Sequence, residues 1–138
     1  MPIVEIALLR HDPLFAPLGA PALEALARAM APLRLRAGEC VIREGQTGEH
    51  YYVVADGRLE VVRGDVVIDH VGRGEGVGEI SLLERVPCVA TVRAGTESRL
   101  YAIEPLAFVG VVGGHPTSAA VGRRLVAERL GPQSPAST

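Results

Sequence analysis

The sequence predicts an α+β domain in which a small antiparallel barrel or sandwich carries helical segments at both ends. Three observations point there. After Leu33 the apolar pattern changes from a helical period to short alternating runs. Those runs are rich in Val, Ile and Tyr, and Gly-containing turns separate them at regular spacing. Outside them lie stretches that open on proline and place their apolar residues at helical spacing.

The elements follow in order. From Ile3 to Leu18, apolar residues are mixed with His11, Asp12, Pro13 and Pro17, which permits a short helix, a break and an irregular turn. Pro21 then opens a clearer helix, with Leu23, Leu26, Ala27 and Met30 on one stripe that reads as core packing, and Pro32 is expected to end it. Strand runs are Cys40-Val41-Ile42-Arg43, His50 to Ala55, Arg58 to Val62 and Val66 to Val71. Asp56-Gly57 reads as a two-residue hairpin, since a type I′ turn needs positive φ at both central residues. Arg63-Gly64-Asp65 makes a second tight return. Val89 to Arg93 and Arg99 to Ile103 complete the strands. Pro105 starts an apolar helical piece, Leu106 to Val112, interrupted by Gly113-Gly114. Pro116 to Leu130 reads as a further helix with Ala119, Val126 and Leu130 on one face, stopped by Gly131-Pro132. The tail, residues 131–138, is small, polar and Pro-containing, and is expected to be disordered. The organisation expected is therefore one domain over residues 1–130: helices over about 3–31, strands over about 33–103 and helices over about 104–130.

A chain of 138 residues suffices for one domain with a real core and is short for two. Its net charge of -2, with 14 basic and 16 acidic side chains, argues against a nucleic-acid binder, which would show a clustered basic excess. All the basic residues other than histidine are Arg. Cys40 and Cys88 permit one disulfide, but nothing in the sequence resembles a secretory signal and free thiols are expected. Apolar runs are broken every few residues by Arg, Glu, Gly or Pro, so none is long enough to span a bilayer. A cytoplasmic domain, or the cytosolic part of a membrane protein, is expected.

The stretch Val77 to Val92, V-G-E-I-S-L-L-E-R-V-P-C-V-A-T-V, is the candidate site. It starts in Gly-rich sequence, suits one or two helical turns, breaks at Pro87 and resumes as a strand. A Gly-flanked helix start presents unpaired N–H groups and the positive end of a helix dipole, which suits a phosphate-sized anion.

These residues resemble the phosphate-binding cassette of cyclic nucleotide-binding domains, of the kind found in the cAMP receptor protein and the regulatory subunit of protein kinase A. The family's form is F-G-E-(L/I)-A-L-x-x-x-x-P-R-(A/S)-A-(T/S)-V, and Gly78, Glu79, Ile80, Leu82, Pro87, Ala90, Thr91 and Val92 fall on it without a gap. Upstream, Gly38-Glu39-Cys40-Val41-Ile42-Arg43-Glu44-Gly45 and Tyr51 to Val61 are similar to the family's first strands and their corner glycines. The resemblance covers roughly Asp12 to Leu130. It implies an antiparallel β-roll, a jelly-roll-like double-stranded β-helix, flanked by N-terminal and C-terminal helices, of which those after the roll move when ligand binds.

It also implies roles for single residues. Glu79 would accept a hydrogen bond from a ribose 2′-OH, where the plainer reading is an acid favoured by a helix dipole. The amides of Ile80, Ser81 and Val89 would contact phosphate and sugar, and the Ser81 hydroxyl, in place of the usual Ala, would add a donor. Cys88 stands where the family has the arginine that grips the phosphate, and it offers neither positive charge nor a planar fork. A charge-assisted bond contributes about 1.5–3 kcal/mol, so its loss weakens phosphate binding by about ten-fold to over a hundred-fold. Arg85, three positions ahead, is the nearest replacement, with a solvated rim position as its competing fate. Cys88 itself reads as a small buried hydrophobe rather than a reactive thiol.

Three functions compete. The first is a sensor for a cyclic purine nucleotide, cAMP before cGMP, that signals through its C-terminal helices to an effector domain or protein, for example a membrane transporter. The second is a structural or interaction module that has kept the fold and lost the ligand. The third is a cupin-like metal enzyme, for which Glu49-His50 before Tyr51-Tyr52 offers a faint motif, although Tyr52 occupies the place of the second His and the remaining histidines are scattered. The sequence shows no legible catalytic triad or dyad and no metal-ligand set, and a homodimer is compatible with it.

Overall fold

The computed structural model describes residues 6–47, 50–78 and 86–113. Among them are three helices, α1 (Ile6–Arg10), α2 (Ala20–Arg28) and α3 (Pro105–Gly113), and eight strands. The strands are β1 (Ala31–Leu35), β2 (Cys40–Ile42), β3 (Tyr51–Asp56), β4 (Leu59–Arg63), β5 (Val66–Val71), β6 (Gly76–Val77), β7 (Thr91–Ala94) and β8 (Ser98–Ile103). They form two four-stranded antiparallel sheets, one ordered β1-β8-β3-β6 and the other β2-β7-β4-β5. This is the β-roll the sequence implied. The predicted helix over Pro116–Leu130 and the tail after it lie outside the described residues.

Helix α1 is a single short turn region whose Leu8 and Leu9 are buried. The chain then folds through an irregular turn held by Asp12, whose backbone oxygen accepts the amides of Phe15 and Ala16 at 3.0 and 2.9 Å. Gly19 caps α2 and Pro21 lies in its first turn, where a missing N–H costs nothing. Leu23 and Leu26 are buried, and Ala27 and Met30 pack beside them, as the stripe predicts.

Three readings are corrected. Pro32 does not end α2, which stops at Arg28; it lies inside β1, opposite Tyr101, so the roll begins at Ala31. Among the described residues β1 is an edge strand, paired to β8 alone, and an edge tolerates a residue without a ladder donor. Asp56-Gly57 is not a hairpin, because β3 and β4 belong to different sheets. It is a corner that carries the chain from one sheet to the other. Gly57 has φ +96°, and a Cβ there would lie 2.7 Å from the Glu97 carbonyl oxygen, so the corner requires glycine for two reasons. Strand β7 starts at Thr91, two residues later than expected, because Val89 and Ala90 form a bend after Cys88. The return at Gly64-Asp65 is a true two-residue hairpin, with Arg63 opposite Val66.

Two apolar clusters stabilise this arrangement. Between the sheets pack Leu35, Tyr52, Val54, Leu59, Val61, Val71, Val77, Ala90, Val92, Ala94 and Leu100. On the outer face of the first sheet, residues of the helical segments, among them Leu9, Leu14, Phe15, Leu23, Leu26 and Phe108, pack on Tyr51, Val53, Ala55 and Ile103. Strand β3 thus sends Tyr51, Val53 and Ala55 to the helices and Tyr52 and Val54 to the roll interior. β5, at the edge of the second sheet, leaves Val66, Val67 and Ile68 exposed.

Candidate functional site

The stretch from Val77 to Val92 leaves the first sheet and returns in the second. It departs from β6, where Val77 is buried opposite Tyr52. Gly78 follows with φ +108°, and a Cβ at this position would meet the His50 carbonyl oxygen at 2.7 Å. Its backbone therefore lies tight against β3, in a conformation that side chains rarely adopt.

The return is fixed by backbone hydrogen bonds. The Cys88 amide donates to the Gln46 carbonyl at 2.8 Å, and the Gly45 amide donates to the Cys88 carbonyl at 2.7 Å. Gly45 has φ +86°. The same loop is tied twice more: the Glu44 amide donates to Thr91 Oγ1 at 3.1 Å, and Glu44 Oε1 accepts the Gly64 amide at 3.2 Å. Glu44, Gly45 and Gln46 thus brace the descending arm, which the sequence signalled only through a turn glycine.

Of the site residues read from sequence, Gly78, Cys88 and Val89 are placed by the structure, whereas Glu79, Ile80, Ser81 and Arg85 lie outside the described residues. Cys88 is 8% exposed and its thiol is free. A buried, uncharged side chain occupies the position, as expected of a small hydrophobe. Val89 is half-buried, and Ala90 and Val92 turn into the roll interior. Cys40 is also a free thiol.

The neighbourhood of the cupin-like motif is different in kind. The His50 and Tyr52 rings lie 5.9 Å apart, tilted by 42°. Glu49 lies outside the described residues, and among those described no three His, Cys, Asp or Glu side chains come together as a metal site. Charge on the second sheet is locally paired: Arg93 Nε lies 2.9 Å from Glu60 Oε1 across β7 and β4. Among the described residues no helix is long and apolar enough to cross a membrane.

A buried polar pair went unnoticed in the sequence. Asp12 and Tyr51 are each 1% exposed, and the Tyr51 hydroxyl donates to Asp12 Oδ2 while Oδ1 accepts the Leu14 amide at 3.0 Å. Nothing in the local pattern around Asp12 predicts this partner, 39 residues away.

Comparison with known proteins agrees with the geometry. The family model for the cyclic nucleotide-binding domain matches residues 32–114. A cAMP-dependent protein kinase regulatory subunit of Blastocladiella emersonii is 38% identical over 92 residues, 63% of this chain and 23% of that protein. A cyclic nucleotide-gated potassium channel of Rhizobium etli is 33% identical over 119 residues, 86% of this chain and 33% of that protein. The chain thus spans a third or less of these relatives' length. Among solved structures, the regulatory domain of Toxoplasma gondii protein kinase A with cAMP superposes with TM-score 0.77 at 30% identity, over 91% of this chain and 48% of that one. The N-terminal domain of a transcriptional regulator from Streptomyces coelicolor gives 0.71 at 31% identity, over 91% and 94% of the two chains. The regulatory subunit of a cAMP-independent protein kinase A from Trypanosoma cruzi, bound to guanosine, gives 0.76 at 25% identity, over 82% and 44%. With more than half its length matched by the family model and with the two-sheet roll that the stretch after Gly78 bridges, the chain belongs to the cyclic nucleotide-binding domain family.

Proposed function

We propose that this domain is a ligand sensor that docks a cyclic purine nucleotide, cAMP before cGMP, between Gly78 and Val89 and passes occupancy to an effector through its C-terminal helices. The observation that carries this reading is the double anchoring of the stretch. One end packs on β3 at Gly78 and the other is bonded to the Gly45-Gln46 loop at Cys88, so the intervening backbone has a fixed start and a fixed finish. Ends that are already held need no ordering when an anion binds between them. In this reading the Ile80, Ser81 and Val89 amides receive the sugar-phosphate, Glu79 accepts the ribose 2′-OH, and Arg85 supplies the charge that Cys88 lacks. Kinase regulatory subunits and a potassium channel among the relatives are precedents for the effector. The domain itself does no chemistry.

A second reading follows from Cys88. A buried, neutral side chain at the phosphate position suits a ligand without a phosphate, and the guanosine-bound relative is a precedent for a purine nucleoside.

Calorimetric titration with cAMP, cGMP, adenosine and guanosine distinguishes the two. Saturable cyclic-nucleotide binding that Glu79→Ala abolishes and Cys88→Arg strengthens by about ten-fold to over a hundred-fold supports the first reading. Tighter binding of a nucleoside, unmoved or weakened by Cys88→Arg, supports the second. Binding by Cys88→Arg alone means that the native domain has abandoned the ligand and serves as an interaction module, and silence from every protein rejects both readings.

A further inference from the structure

We propose that Tyr51 is a positioning residue that sets the strand leading into the ligand site and helix α3 together. Its ring and its hydroxyl reach two different parts of the fold. The hydroxyl donates to the buried Asp12, and it occupies the space that a side chain at Gly76 would need: a Cβ there would fall on the Tyr51 hydroxyl and 2.6 Å from Asp12 Oδ2. The backbone of β6 therefore rests on the Tyr-Asp pair. Two residues on, Gly78 leaves the sheet, where a Cβ would lie 3.4 Å from Tyr51 Cα.

The ring makes a separate contact. It stacks on Phe108 of α3, with centroids 4.4 Å apart and planes inclined by 23°. Phe15 closes the cluster edge-on, 5.5 Å from Tyr51 and 6.3 Å from Phe108. A buried hydrogen bond is directional and costly to break, and a close-packed interior passes displacement on instead of absorbing it. A shift of β6 thus moves the hydroxyl, and the same rigid ring moves against Phe108. Asp12 brings the N-terminal segment into the same linkage, because its other oxygen is held by the Leu14 amide at 3.0 Å.

The linkage between β6 and α3 is independent of the ligand; its role in sensing rests on the nucleotide reading above. The test is amide hydrogen exchange of the ligand-free protein and of two variants, Tyr51→Phe, which removes only the hydroxyl, and Phe108→Leu, which leaves the Tyr51-Asp12 bond intact. The expected result is exchange faster by about ten-fold at both Gly76–Gly78 and α3 in each variant, with the β4–β5 amides unchanged. Acceleration confined to the mutated side, or spread equally over β4–β5, would overturn the proposal, since the first shows no linkage and the second mere loss of global stability. A parallel titration with cAMP should show weaker binding by Tyr51→Phe. If the native chain binds neither cAMP nor cGMP, the nucleotide reading fails while the exchange result still decides the linkage.

Discussion

Gly78 and Gly38 offer a matched pair for measuring what tight packing at the site entrance contributes. Both have similar backbone conformations, with φ +108° and +90°, but a Cβ at Gly38 would have nothing within 4 Å, whereas one at Gly78 would meet the His50 carbonyl at 2.7 Å. Alanine at either position incurs the left-handed backbone penalty of about 1–2 kcal/mol. Only Gly78→Ala adds a steric overlap with backbone, which must shift, at a further cost of about 1–3 kcal/mol. The chain contains no Trp, so urea unfolding is best followed by circular dichroism. At a typical dependence of about 1–3 kcal/mol per molar urea, Gly78→Ala should lower the midpoint by about 0.3–3 M more than Gly38→Ala. Equal shifts for the two variants would refute the claim that the site entrance is pressed against β3.

Two further outcomes concern α3 and the second sheet. Phe108→Ala should cost about 3–5 kcal/mol, because the side chain is fully buried, whereas Leu106→Ala, two residues away but 88% exposed, should stay within about 0.5 kcal/mol; thermal unfolding separates them. Arg93→Ala should cost less than about 1 kcal/mol, since the side chains of its pair with Glu60 are 42% and 29% exposed, and high salt should shrink that difference.

The roll was legible because its strands alternate and its corners are glycines, and alternation fixes which side chains turn inward once a face is buried. The errors share one physical source. Pairing partners are long-range facts, and a local turn signal such as Asp56-Gly57 does not say whether the strands beside it will bond to each other or to strands elsewhere. Pro32 misled in the same way: it reads as a helix stop, yet the helix ends earlier at its own cap and the proline sits harmlessly on a sheet edge. β6 escaped notice because two residues cannot show a period. The motif from Gly78 to Val92 was legible in the sequence, but the Gly45-Gln46 brace on Cys88 and the Asp12-Tyr51 pair come from segments remote in sequence.

Strand β3 has a consequence for how this domain unfolds. Because Tyr51, Val53 and Ala55 belong to the helical cluster and Tyr52 and Val54 to the roll interior, neither cluster can lose its packing while keeping β3 in place. The strand acts as a party wall between two rooms. Heating or denaturant should therefore collapse both in a single transition, and far-ultraviolet circular dichroism and the absorbance of the tyrosines, Tyr51 and Tyr101 in the helical cluster and Tyr52 in the roll, should trace one superimposable curve.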